Sequence, residues 1–136
     1  MDYFSSAFGG FRPNIDLDAA VKFSLNAILM DARLIDLASL LTDGHEIGGV
    51  EGVPGWIIER RDSGAAGEMP GYSSWPVWAS FRAYVDPHEF ELAHPEYFMD
   101  KTGFHKYALA ALEAFLRVNP EQNAAASAAL ALARAE

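Results

Sequence analysis

The sequence predicts an α+β fold, in which a central antiparallel sheet of about three to five strands packs with a long N-terminal helix and two C-terminal helices. Apolar residues recur every three or four positions near both ends of the chain, which is typical of amphipathic helices. The middle is rich in Gly and Pro and contains short alternating segments, which is typical of strands and turns. With 136 residues, of which 51% are hydrophobic, the chain can form one core. We therefore predict a single domain over residues 1–136.

The first fifteen residues predict an irregular arm. This arm carries four aromatic residues, Tyr3, Phe4, Phe8 and Phe11. Glycines and a proline at positions 9, 10 and 13 interrupt any regular element. We expect the aromatic rings to dock on the core.

A long helix is predicted from Asp16 to Leu41. Its apolar stripe consists of Leu17, Val21, Leu25, Ile28, Leu29, Ala32 and Ile35. Asp16 is suited to cap its first turn, because a carboxylate can accept hydrogen bonds from the free amides there. Gly44 is suited to follow its C-terminal end.

Short strands are predicted in the glycine-rich middle. The clearest lies at 55–61, where Trp56 and Ile58 alternate with Ile57 and Glu59. A weaker strand, interrupted by glycines, is predicted at 45–53. Residues 62–71 are predicted to form a turn or a mobile loop.

Two further strands are predicted after this loop. One runs from Val77 to Val85, with a core face formed by Val77, Ala79, Phe81, Ala83 and Val85. The other is short and covers residues 88–93. In this second strand Phe90 and Leu92 would point inward, and Glu89 and Glu91 outward.

The C-terminal part of the chain predicts two helices. The first covers 101–118, with an apolar stripe of Phe104, Tyr107, Ala108, Ala111, Leu112 and Phe115. It ends at Asn119, because a residue before proline avoids the helical conformation. The second covers the alanine-rich residues 120–136, with Pro120 in its first turn. Its small side chains predict little burial and fraying.

The charge of the chain favours a basic partner. The net charge is −9, and residues 37–100 contribute −8, from eleven acidic and three basic residues. Such a field repels nucleic acid and anionic membranes and attracts basic proteins. The alternative is that the acidity serves solubility alone. We find no apolar run of about 18 residues and no secretory signal pattern, so we expect a cytoplasmic protein without a membrane partner.

The residue types exclude several kinds of catalytic site. The chain has no cysteine, so it has no disulfides, no thiolate nucleophile and no cysteine-ligated zinc. His88, Glu91 and His94 raise a metal hypothesis, but their spacing differs from the helical zinc-protease pattern. Glu89 and Glu91 could form a carboxylate pair for acid–base chemistry. We predict no catalytic residue, no metal and no cofactor.

Aromatic residues and acidic residues are concentrated in the same part of the chain. An aromatic anchor beside a negative rim suits a rapid binder of a basic protein, because complementary charge raises the association rate. Tyr72 or Trp75 is the predicted anchor. The predicted partner-binding residues are Glu51, Glu59, Asp62, Glu68, Tyr72, Trp75, Glu89, Glu91 and Glu96.

The segment from Tyr97 to Gln122 resembles the C-terminal part of immunity proteins from bacterial contact-dependent growth-inhibition systems, of the ribonuclease-toxin type. The resemblance covers about a quarter of the chain. The matching positions are Phe104, Tyr107, Phe115 and Pro120. It implies a cytoplasmic antitoxin without catalysis, which binds one toxin domain and covers its active site. Binding faces differ between members, so it assigns no interface residue.

Two other classes remain open at this point. One is a small hydrolase that uses Glu89, Glu91, His88 and His94. The other is an acidic adaptor or scaffold, which would need a mobile or methionine-rich groove to bind many clients. The four methionines are scattered along the chain and do not indicate such a groove. We expect a monomer, because the alanine-rich helix has too little apolar volume for a strong dimer seam.

Overall fold

Helices from both ends of the chain pack against a four-stranded antiparallel sheet, which confirms the predicted α+β class. The structure is a computed structural model and describes residues 2–62, 72 and 74–135. In chain order the elements are α1 (Phe4–Phe8), α2 (Ala19–Met30), α3 (Leu34–Leu40), β1 (Gly49–Gly52), β2 (Trp56–Arg60), β3 (Phe81–Val85), β4 (Glu96–Met99), α4 (Lys101–Val118) and α5 (Asn123–Arg134).

The sheet has the strand order β1-β2-β3-β4, and each strand is antiparallel to its neighbours. Ile58 of β2 lies opposite Val50 on one side and Ala83 on the other. These three residues are buried, as expected for one face of a pleated sheet. The strand predicted at 55–61 is therefore present, as Trp56–Arg60.

The core lies between this buried face and helices α2 and α4. Leu25 and Ile28 of α2 and Leu112 of α4 are completely buried. Phe104 of α4 stacks on Phe81 of β3, with ring centroids 4.2 Å apart. Helix α4 begins where it was predicted, because the Asp100 carboxylate accepts a hydrogen bond from the Gly103 amide at 2.7 Å.

The predicted long N-terminal helix is two helices. Helix α2 ends at Met30, and α3 begins at Leu34. Between them Ala32 has a φ of 50°, a left-handed conformation that stops a right-handed helix. Asp16 is not the N-cap either, because α2 starts at Ala19.

The predicted irregular arm at 1–15 contains one short helix, α1. The aromatic rings of the arm dock as expected: Tyr3 lies 5.7 Å from Phe115, and Phe8 lies 5.9 Å from Tyr107, measured between ring centroids. Asp16 follows the arm and is buried. Its carboxylate accepts hydrogen bonds from the Arg12 amide at 2.8 Å and from Lys22 Nζ at 3.1 Å.

Two predicted strands are shorter than expected. The predicted strand 77–85 begins only at Phe81. Val77, assigned to the core face, is 95% exposed. Residues 76–79 form a turn, because Arg61 donates to the carbonyl oxygens of Pro76, Val77 and Ala79 and thereby holds the backbone in a loop. Within 45–53, only Gly49–Gly52 is a strand.

The predicted strand at 88–93 is wrong. Residues 86–95 form a turn and a loop, and the fourth strand is Glu96–Met99. The loop folds back towards the N-terminal part of the chain: the Ala93 amide donates to the Pro13 carbonyl at 2.9 Å, and Phe90 packs on Phe23 of α2. We call this segment the loop 86–95.

The alanine-rich end is ordered and packed. Residues Pro120–Gln122 form one 3₁₀ turn, and α5 follows. Ala126, Ala129 and Ala133 are buried where α5 meets α3 and α4. The expectation of little burial is therefore wrong, because small side chains let helix backbones approach closely. None of the described helices is both long enough and apolar enough to cross a membrane.

Candidate functional site

The outer side of the sheet carries three of the predicted binding residues, Glu51, Glu59 and Glu96. The residues that alternate with the buried ones point away from α2 and α4, and most are only half-buried. We call this surface the open face; it consists of Gly49, Glu51, Ile57, Glu59, Arg82, Tyr84, Glu96 and Phe98. The open face exists because successive side chains of a strand point to opposite sides of the sheet. Helices that cover one side therefore bury only every second residue.

Arg82 lies at the centre of the open face and pairs with two of the predicted acidic residues, so its single positive charge offsets one of their two negative charges. Its guanidinium donates to Glu59 at 2.7 Å and to Glu96 at 2.6 Å, and it lies over the Tyr84 ring. Burial alone would lower the pKa of Arg82, but the hydrogen bonds to Glu96 and Glu59 outweigh it and raise that pKa. Glu59 and Glu96 therefore face solvent as an internally paired group.

Asp62 is also paired within the protein. Its carboxylate accepts from Arg60 Nε and from the Gly44 amide. The hydrogen bond from Arg60 holds the pKa of Asp62 below its usual range, although partial burial opposes this. Arg60 is itself buried and donates to the carbonyl oxygens of Ser39 and Leu40 at the end of α3. Asp62 therefore belongs to a structural cluster.

The two predicted aromatic anchors cover one end of the open face. Trp75 is buried, with its ring centroid 5.0 Å from that of Tyr72 and 5.6 Å from that of Phe98. The Tyr72 hydroxyl donates to the Arg60 carbonyl at 3.0 Å, and burial raises the pKa of Tyr72. Trp75 is therefore packed against the sheet instead of projecting from it. Glu68, another predicted binding residue, lies outside the described residues.

Three predicted acidic residues, Glu51, Glu89 and Glu91, are exposed. Asp86, which was not among the predicted residues, is half-buried beside them. None of these four takes part in an ion pair within the part of the chain that the structure describes. We call them the unpaired carboxylates. Asp86 could have been suspected from its place at the start of the acidic run 86–100.

Glu51, Asp86 and Glu89 approach one another because two turns pack together. The Asp86 amide donates to the Gly55 carbonyl at 2.7 Å, which joins the loop 86–95 to the β1–β2 turn. Gly55 has a φ of 119°, and a side chain there would meet Glu89 Cγ at 3.0 Å. Glu89 thus lies against the turn that follows Glu51, and the negative charge gathers at this end of the sheet.

The residues of the hydrolase hypothesis lie on the loop 86–95. His88, Glu89, Glu91 and His94 are all exposed. Across the described ranges, no three histidine or acidic side chains are grouped so that they could hold a metal ion. The structure thus places these four residues on a surface loop.

A polar cluster between α2 and α4 was missed by the sequence reasoning. The Tyr107 hydroxyl donates to Asp18 at 2.6 Å, and Lys22 pairs with both Asp16 and Asp18. Burial and the Asp18 carboxylate raise the pKa of Tyr107. Tyr107 was predicted as an apolar stripe residue, and no local signal links it to Asp18, which is 89 residues away. The cluster ties α4 to the start of α2.

Together these features define an α+β protein whose sheet is covered by helices on one side and carries a negative surface on the other. Comparisons of the chain with protein-family models, with curated proteins and with solved structures found no match.

Proposed function

We propose that this protein binds a basic protein through the open face and the unpaired carboxylates, and that it is an immunity protein that neutralises a cognate nuclease-like toxin domain. The observation that carries the proposal is the gathering of Glu51, Asp86 and Glu89 at one end of the open face, next to the exposed Glu91 of the loop 86–95. These four carboxylates take part in no ion pair among the described residues, and together they form a field that attracts a cationic surface.

The difference between paired and unpaired carboxylates supports the proposal that the unpaired ones attract the partner. Glu59 and Glu96 share the cation Arg82, which offsets one of their two negative charges at short range. Glu51, Glu89 and Glu91 have no such cation within the described residues. Their charge is available for a partner, and complementary charge raises the rate of association more than the final affinity.

The kind of partner follows from the sign of the charge and from the resemblance of 97–122 to immunity proteins. A nuclease binds phosphates with lysine and arginine, so its active site presents the positive surface that a negative face would cover. The toxin domain is then neutralised if the bound face keeps the nucleic acid out of its active site. The proposal implies a cytoplasmic protein that acts by binding and has no catalytic residue.

The test is a measurement of association with the C-terminal domain of the protein encoded immediately upstream of this gene. The triple variant Glu51→Gln, Glu89→Gln and Glu91→Gln is compared with the wild type by stopped-flow mixing. We expect its association rate to fall about tenfold at low salt, and we expect the difference to shrink as NaCl rises from about 50 to about 500 mM, because salt screens exposed charges.

The matched control removes the same three charges elsewhere. Asp2→Asn, Asp31→Asn and Glu121→Gln change exposed residues outside the sheet, so the association rate should change by less than about twofold. Equal effects of the two triple variants would show that only net charge matters and would contradict the proposed face. Failure of the wild type to block the nuclease activity of the domain at equimolar concentration would contradict the immunity function.

A further inference from the structure

The end of the open face near the unpaired carboxylates contains a groove of about 470 Å³. Five of its seven lining residues are apolar or glycine, and the other two are acidic. We call it the turn groove; it is lined by Glu51, Gly52, Val53, Gly55, Trp56, Ile57 and Asp86. The groove thus combines an apolar surface with negative charge.

The apolar part of the turn groove is held in place. Trp56 is buried, and its indole N–H donates to the Val53 carbonyl at 3.1 Å. Gly52 lies directly against the Trp56 ring, since a side chain there would come within 2.8 Å of a ring atom. Val53 is 91% exposed and forms an apolar wall. A ligand therefore meets a preformed surface, which lowers the cost of binding.

The two carboxylates of the groove are also positioned. Asp86 is fixed by its amide, which donates to Gly55, and by its Oδ1 atom, which accepts from the His88 amide at 2.9 Å. Glu51 is fixed by its backbone, because its carbonyl accepts from Arg33 at 2.9 Å. Arg33 forms its salt bridge with Asp36, and Glu51 takes part in no ion pair among the described residues.

We infer that the turn groove receives one arginine side chain of the basic partner, an inference that rests on the proposed function. The methylene stem of arginine can lie on Val53 and Ile57, as long basic side chains do on apolar surfaces. Its planar guanidinium has five donors, so it can bond to Glu51 and Asp86 at the same time. Lysine offers a compact, strongly hydrated charge and fits such a pair of carboxylates less well.

The experiment is an NMR titration of the whole protein with N-acetyl-arginine methylamide. Saturable shifts are expected at the amides of Gly52, Gly55 and Ile57 and at the Trp56 indole, with a dissociation constant on the order of millimolar. N-acetyl-citrulline methylamide has nearly the same shape without the charge, and it should produce no saturable shift. The lysine analogue should bind more weakly than arginine.

The variant Glu51→Gln with Asp86→Asn tests the carboxylates. Both changes keep the shape of the side chain, and asparagine still accepts from the His88 amide. We expect the affinity for the arginine probe to fall at least about tenfold, because charge-assisted hydrogen bonds are about twice as strong as neutral ones. The control Asp31→Asn with Glu121→Gln removes two exposed charges outside the groove and outside the proposed binding surface, and it should change the affinity by less than about twofold.

Three results would overturn the inference: equal shifts with citrulline, shifts that fall outside the turn groove, or unchanged affinity in the Glu51→Gln, Asp86→Asn variant.

The same variant separates this inference from the proposed function. If the toxin domain binds the wild type and this variant equally well while the Glu51, Glu89 and Glu91 triple variant associates slowly, the function stands and the groove inference fails. If arginine binds the groove but the toxin domain does not bind at all, the proposed function fails.

Discussion

Asp16 is a buried acid that joins the N-terminal arm to α2. The hydrogen bond from the Arg12 amide holds the pKa of Asp16 below its usual range; burial opposes this effect and Lys22 reinforces it. Because the folded pKa lies below the unfolded value of about 3.9, the folded protein binds fewer protons there. The stabilisation from ionised Asp16 is therefore complete above that value and is lost as pH falls through the folded pKa.

Replacement of Asp16 by Asn should lower the free energy of unfolding by about 2 kcal/mol at pH 7, because Lys22 loses a buried partner. The difference from the wild type should shrink below about pH 4. Urea unfolding at several pH values measures both effects. The exposed residue Asp31 provides the control, and Asp31→Asn should stay within about 0.5 kcal/mol of the wild type. A difference for Asp16→Asn that does not depend on pH would contradict the ionised role of Asp16.

Ala32 carries backbone strain, because a side chain at a φ of 50° crowds the backbone. Ala32→Gly should raise the free energy of unfolding by about 0.5–1 kcal/mol, since glycine adopts this conformation without that penalty. The matched control, Ala128→Gly, lies on the exposed side of α5 and should lower it by about 1 kcal/mol. Effects of the same sign in both variants would show that Ala32 is not strained.

The outward direction of Glu59 and Glu51 could be predicted from the alternation of the strands, and both side chains do lie on the open face. It could not be predicted that Glu59 would be paired while Glu51 would be one of the unpaired carboxylates. Glu59 and Glu96 meet Arg82 only because β2, β3 and β4 have one particular register. Register depends on contacts between distant residues, whereas a sequence pattern reports only local spacing.

At the level of elements, α5 shows how small residues can be core residues. Ala129 is buried, whereas Ala128 beside it is exposed. Ala129→Leu should lower the free energy of unfolding by about 1–3 kcal/mol, because added methylenes force the packed helices apart. Ala128→Leu adds the same volume on the exposed side and should change it by less than about 0.5 kcal/mol. Thermal or urea unfolding of the two variants gives the comparison, and similar stabilities would contradict the packing of α5.

The loop 86–95 shows where local pattern misleads. Its alternation of Phe90 and Leu92 with glutamates predicted a strand. Leu92 is buried as expected, but Phe90 instead contacts Phe23, and the Ala93 amide is bonded to the arm at Pro13. These contacts come from residues more than sixty positions away, so a short alternating segment could not reveal them.

Helix boundaries could be predicted where a local signal exists. The start of α4 follows from the Asp100 cap, and its end follows from Pro120. The break between α2 and α3 has no such signal, because alanine favours helices and Ala32 carries the left-handed turn that glycine usually carries. Tertiary packing of both helices overrides the local preference of Ala32.

At the scale of the whole molecule, the net charge of −9 makes two copies of the protein repel each other. Mutual repulsion should keep the protein monomeric at pH 7.5 and low salt, with a mass of 14.9 kDa by light scattering. Near pH 4.8, where the sequence predicts no net charge, self-association should rise and solubility should be lowest. A particle of twice the monomer mass at pH 7.5 would contradict the monomer.

Substitution of the unpaired carboxylates can change which partner the protein binds while the fold stays the same. Glu51 and Glu91 contribute to no ion pair in the described regions, so replacing them costs folding little, about 0.5 kcal/mol or less. Glu59, Asp62 and Glu96 are tied to arginines that hold the sheet and α3 together. A lineage of such proteins could therefore exchange one partner for another by substituting a few charged surface residues, without any compensating change in the core.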